Sequence, residues 1–160
     1  MERTGGKAAE KPGDATEWGI LGGSIGPRAR LLVNALTTRS MVVSAPQGLP
    51  TGSLTVLALI AANPGSSQTA LARKAGIAKS GLVNLVDQLE ARGLAARDRS
   101  ATDRRRNRLT VTPAGKEMMH LLFGVVDPQE APVREALGPR DFATLLSLLD
   151  RALAALPPRD

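Results

Sequence analysis

The 160-residue chain has no cysteine and no tyrosine, and only one tryptophan, two phenylalanines and one histidine. Without cysteine, disulfides, thiolate metal sites and thiol-redox switches are excluded. So few aromatic rings leave little on which bases could stack, which argues against a binder of RNA or of single strands. With His120 alone, no glycine-rich phosphate loop, no nucleophile beside a base and no metal-ligand spacing, no enzyme and no cofactor are expected. Long apolar runs are lacking too: the longest, "LTVLALIAA" at residues 54–62, is too short to span a bilayer. The N-terminal "MERTGGKAAEKPGDATEWG" has no apolar signal core. The expected setting is cytoplasmic, with no membrane partner.

What is present is basic charge in one place. The formal charge is +6. The window 73–108 holds ten basic residues (Arg73, Lys74, Lys79, Arg92, Arg97, Arg99, Arg104, Arg105, Arg106, Arg108) and four acidic ones (Asp87, Glu90, Asp98, Asp103). The rest of the chain is balanced, with eleven of each sign. A net excess confined to one segment is the footprint of a polyanion site.

Residues 1–23 read as a flexible arm rich in Gly, Lys, Glu and Thr, with Trp18 as an anchor against something apolar. Residues 26–45 carry Leu32, Ala35, Leu36, Met41, Val42 and Val43 at helical spacing. "APQGLPTG" breaks the pattern, and a buried helix follows with Ser53 expected as its N-cap. Ser67 can cap the next helix, which carries Leu71 and Ala72 inward and ends at Gly76. Another helix begins near Lys79, with Leu82, Leu85, Val86 and Leu89 on its inner face, and ends at Gly93. Helix, glycine-containing turn and helix make a helix-turn-helix pattern. Short strands over 94–99 and 107–112 flank "SATDRRR", so the arginine triplet falls at a hairpin tip, the arrangement of a winged helix. Thr112 caps a further helix with Pro113 at its first position, ending near Asp127-Pro128 with Pro132 as an interruption. A last helix is expected from about Pro139 to Leu156.

Over residues 26–156, and most specifically over 66–115, the chain resembles MarR-family transcriptional regulators. The resemblance rests on "VDQLEARGL", "DRRRNRLTVTPAG" and the "ALA" helix before them, where Asp87, Leu89, Glu90, Gly93, Leu94, Asp103, Arg105, Thr112 and Gly115 match in order and spacing. It implies a mainly α fold with a small β-wing: a winged helix-turn-helix over 49–116 joined to a helical dimerisation region over 24–48 and 117–157. The apolar helices at both ends of the chain independently favour a homodimer, since they have no other core large enough to hide in. The implied function is a repressor that binds a pseudo-palindromic operator in double-stranded DNA and is released by a small aromatic or acidic effector.

The second helix of such a module places its N-terminal part in the major groove. Its outward positions are Lys79, Ser80, Gly81, Val83, Asn84 and Gln88. Asn84 or Gln88 suits adenine, the Val83 methyls suit a thymine methyl, and Lys79 suits a phosphate or guanine. Ser80 either faces DNA or caps the helix. Arg97, Arg99, Arg106 and Arg108, on the strands, are expected at phosphates. By the resemblance, Asp103 braces a wing arginine while Arg104 or Arg105 enters the minor groove. The chain departs from the family at Ala78, Gly81, Val83 and Asn84, where polar residues are usual, so its recognition helix is poor in polar groups. An effector pocket implied by the family would be walled by Leu36, Met41, Leu57, His120 and Phe123. The alternative to a DNA-binding regulator is a winged-helix protein-interaction module with weak or non-specific DNA binding.

A narrow A·T-rich minor groove rewards an inserted cation. Arg105→Ala is therefore expected to weaken binding to an A·T-flanked site more than to a G·C-flanked one, as measured by fluorescence anisotropy on both duplexes.

Overall fold

Residues 16–99 and 107–156 are described by the structure, a computed structural model. In chain order they form α1 (Ile25–Ser44), α2 (Ser53–Ala62), α3 (Gln68–Ala75), α4 (Lys79–Ala91), β1 (Ala95–Arg99), β2 (Asn107–Val111), α5 (Pro113–Val126) and α6 (Ala131–Ala154). Short 3-10 turns lie at Gly19–Leu21, Ala45–Gln47 and Asp127–Glu130. The fold is thus mainly helical, with one two-stranded antiparallel sheet. None of these helices is long and apolar enough to cross a membrane. The chain divides into two compact units at Ala35/Leu36, within α1.

In the first unit Trp18 shares an open depression with Pro27 and Leu31 and also carries a cation over its ring. The Arg28 guanidinium lies 4.7 Å from the Trp18 ring centroid and also donates to the Ser24 carbonyl at 2.9 Å. A cation over an indole face is attracted by the ring quadrupole.

The second unit is built around α4. Leu82, Val86 and Leu89 are fully buried, with Val56, Leu57 and Ile60 of α2 and Leu71 and Ala72 of α3 in the same cluster. Each such aliphatic side chain contributes about 1.5–3 kcal/mol of burial. Ser67 caps α3 by accepting from the Ala70 N–H at 3.1 Å, and Gly76 takes the left-handed conformation that turns the chain into α4. Ser53 does not cap α2. Gly52 occupies the cap position with φ +91°, and the buried Ser53 hydroxyl donates instead to the Pro50 carbonyl at 2.7 Å. The turn before α2 thus satisfies the hydroxyl, and a left-handed residue without Cβ makes that turn possible.

The helix expected from Pro139 is present as the second half of α6, which is two helical segments joined at Gly138. α6 begins at Ala131, with Pro132 in its first turn, where the missing N–H would be unpaired in any case. The break comes at Gly138, with φ 68° and ψ 168°, immediately before Pro139. Arg134 reaches back to Asp127 and Glu130, and its guanidinium lies 5.4 Å from the Phe142 ring centroid, tying the two sides of the kink together.

The base of the hairpin is joined to α5 by one residue. The Thr112 hydroxyl donates to the Gly93 carbonyl at 2.6 Å and accepts from the Gly115 N–H at 3.0 Å, while the Thr112 N–H donates to the Leu94 carbonyl at 3.1 Å. This brings Gly115 so close that a Cβ there would overlap the Leu94 carbonyl oxygen and lie 2.8 Å from Val111 Cγ1. The obstacle is backbone, which cannot move aside without breaking the junction. Gly115→Ala is expected to destabilise the protein by more than about 2 kcal/mol, seen as a lowered midpoint in denaturant unfolding.

Candidate nucleic-acid interface

Burial of one face of α4 leaves the opposite face to solvent. Lys79, Ser80, Gly81, Asn84 and Gln88 are exposed and Val83 is half-buried, so the structure brings the predicted recognition residues onto one helix. The cap position is Ala78, and no side chain caps the helix, so Ser80 is an exposed first-turn residue and not a cap. The first amides of α4 are left without a side-chain acceptor, and such groups favour anions. Gly81 has open space where a Cβ would project. The Gln88 Nε2 amide donates to Asn84 Oδ1 at 3.2 Å, joining the two exposed amides one helical turn apart.

The strands sort the arginines by face. β1 and β2 pair with Ala95 opposite Val111, Arg97 opposite Leu109 and Asp98 opposite Arg108. Directly opposed residues share a face, and Ala95 and Leu109 are buried in the core. Arg97 therefore points inward, toward α4. Its guanidinium pairs with Asp87 at 2.7 Å and with Glu90, and its side chain is only 22% exposed. The expectation that Arg97 meets a phosphate is corrected by this geometry: two carboxylates on successive turns of α4 already satisfy it. The paired acids of the "VDQLE" segment thus bind the wing strand to the recognition helix. Arg108, one residue out of phase, is exposed. Arg99 closes the described ladder opposite Asn107. Asp103, Arg104, Arg105 and Arg106 lie outside the described residues.

Arg92 was counted in sequence only as part of the charge excess. It follows α4, and its guanidinium donates to the Gln47 and Gly48 carbonyls, at 3.3 and 2.5 Å. The end of the recognition helix is thereby held to the loop between α1 and α2. No local signal marks this contact, because its partners are backbone oxygens more than forty residues away.

The five proposed pocket residues differ in burial. Leu57 is fully buried among Val56, Ile60 and Leu82, so it is core and not pocket wall. Leu36 is half-buried, whereas Met41, His120 and Phe123 are exposed. An open depression of about 540 Å³ in the first unit is lined by Trp18, Gly26, Pro27, Arg30 and Leu31, and includes none of the five.

Residues 47–106 match the model of the MarR family. The chain is 33% identical over 152 residues, 94% of its length and 92% of the relative's, to a candidate transcriptional regulatory protein for the hcr operon of Thauera aromatica. The chain belongs to the MarR family. It is a transcriptional regulator and not an enzyme. Among solved MarR-type structures, it superimposes with a TM-score of 0.74 on the transcriptional repressor CouR bound to a 23-mer DNA duplex, at 31% identity, covering 86% of this chain and 98% of the other. A CouR structure bound to p-coumaroyl-CoA gives a TM-score of 0.71 at 28% identity, covering 89% of this chain and all of the other.

The two strand arginines should behave oppositely. Arg97→Ala should lower unfolding stability by about 1 kcal/mol, the scale of a partly exposed ion-pair network, and leave the salt slope of DNA binding unchanged. Arg108→Ala should change stability by less than about 0.5 kcal/mol and make that slope shallower by about one per protomer. Denaturant unfolding and salt titration of DNA binding on the same preparations check both.

Proposed function

We propose that this MarR-family regulator binds a pseudo-palindromic operator as a homodimer, represses the adjacent genes, and is released by an aromatic acyl thioester of coenzyme A. The observation that carries the DNA reading is α4 itself: its inner face is sunk in the core while Lys79, Ser80, Asn84 and Gln88 stand together in solvent, in the segment that holds the whole excess charge. Sequence-specific contact through the major groove suits such a helix, and the basic flanks suit phosphates. The likeness to CouR on a DNA duplex supports the same reading.

The dimer is supported by apolar surface that a single chain leaves open. Leu146, Leu149, Leu153 and Leu156 on and after α6 are 40–66% exposed, and α1 contributes no buried residue. A row of leucines of this kind on a monomer marks an interface, and a two-fold axis would set two recognition helices to half-sites about one DNA turn apart. The ligand class is supported by CouR with p-coumaroyl-CoA. A ligand of this kind releases DNA only by binding one arrangement of the dimer more tightly than the other.

A gel shift with the protein's own upstream DNA tests the reading. Two modules making on the order of ten phosphate contacts should lose ~10³-fold or more in affinity between 50 and 200 mM salt. Added p-coumaroyl-CoA should release the duplex, whereas free coenzyme A should not. Sedimentation of a monomer at micromolar concentration would remove the dimer. A dimer that binds no duplex would instead be the protein-interaction module.

A further inference from the structure

We infer that Arg92 is a positioning residue for operator binding: it locks the end of the recognition helix to the end of α1, and so sets which half-site separation the dimer accepts. The inference rests on the dimeric operator reading proposed above and names the residue that fixes its spacing. α1 runs without a break into the 3-10 turn Ala45–Gln47. The Ser44 hydroxyl donates back to the Ser40 carbonyl at 2.6 Å, and the Gly48 N–H donates to the Ala45 carbonyl at 2.9 Å. Residues 36–47 thus form one hydrogen-bonded stretch of helix. Gly48 then turns left-handed, with φ 60°, and Leu49 packs against the core of the winged module. The helix therefore meets the module at a glycine, where modest changes of φ and ψ would swing it. No residue of α1 is fully buried to resist such a swing.

Arg92 spans that pivot. It occupies the C-cap position of α4. Its Nη1 donates to the Gln47 carbonyl at 3.3 Å, on the α1 side, and its Nη2 donates to the Gly48 carbonyl at 2.5 Å, at the pivot itself. Such charge-assisted bonds are stronger than neutral ones. Two donors of one planar guanidinium on successive carbonyls fix a direction as well as a distance, which a single ammonium does not do. Among the described residues, only Arg92 and the adjoining Ser53 reach residues 45–52 with a side-chain hydrogen bond from outside the loop. In a two-fold dimer built on α1, the angle between α1 and α4 fixes the distance and the rotation between the two recognition helices. One base pair added between half-sites moves the second by about 3.4 Å and turns it by about 35°. A locked angle rejects that change, and a free pivot absorbs it. Arg92 thereby selects spacing without touching a base.

The experiment uses the full chain and a duplex enriched by the wild-type protein from a randomised library. Its two half-sites are kept, and their separation is changed by one and by two base pairs in each direction. Wild type should lose about tenfold or more in affinity at the first step, because the DNA must be twisted back to fit. Arg92→Met keeps an unbranched stem but has no donor. It should bind the original separation about five- to tenfold more weakly and lose only about threefold or less at the first step. Base preferences within each half-site and thermal melting should stay as in wild type. Arg92→Lys, with one ammonium for two carbonyls, should give an intermediate profile. If Arg92 only met a phosphate, Arg92→Met would weaken every separation alike and make the salt slope shallower by about one per protomer. If it were merely structural, Arg92→Met would lower melting and leave the spacing profile unchanged. Either result would overturn the inference. A wild type that is indifferent to separation, or that enriches single half-sites, is a different result and would remove the dimeric operator reading itself.

Discussion

The close contact between Gly115 and the Leu94 carbonyl holds the DNA-reading module together. Three elements meet there: the end of α4, the first strand of the hairpin and the start of α5. Thr112 joins them with one hydroxyl, donating to Gly93 and accepting from Gly115, while its amide serves Leu94. A side chain at residue 115 would force these strands apart, and the direction in which the hairpin leaves the core would change with it. The cap that starts a helix is therefore also the joint that aims the wing.

Beside that joint an ion-pair network ties the first strand of the hairpin to α4. Arg97 connects them, because strand alternation turns it toward α4, where Asp87 and Glu90 wait on successive turns. At the same, C-terminal end of α4, Arg92 grips the loop that follows α1. A basic residue in this segment thus does one of two things. Those facing inward or backward hold α4 to its neighbours, and those facing outward, such as Arg108, stand in solvent. Net charge alone does not separate the two groups.

The leucines of α6 and the apolar residues of α1 are the converse case. No residue of either helix is fully buried. Two parts of the chain thereby differ: a winged module whose core closes on itself, and helices whose apolar residues are largely exposed. The Gly138 kink lies in the latter part, bridged by Arg134.

Local chemistry was legible in the sequence because it acts within a turn or two. Ser67 and Thr112 as caps, Gly76 as a helix end, the inner face of α4, both strands and the concentration of charge could all be read directly from neighbouring residues. So could the family, from the spacing of Asp87, Glu90, Gly93 and Gly115. Readings that depended on distant partners failed or stayed open. Ser53 looks like a cap until Gly52 turns left-handed and Pro50 offers its carbonyl. Leu57 looks like a pocket wall, and Arg97 like a phosphate ligand, until tertiary packing places one in the core and the other between two carboxylates. The amino-acid order by itself determined which helices and strands form and which segment carries the charge, because those follow from spacing and backbone preference. Only the tertiary structure decided what each polar side chain faces, because a hydrogen-bond or ion-pair partner is chosen by proximity in space.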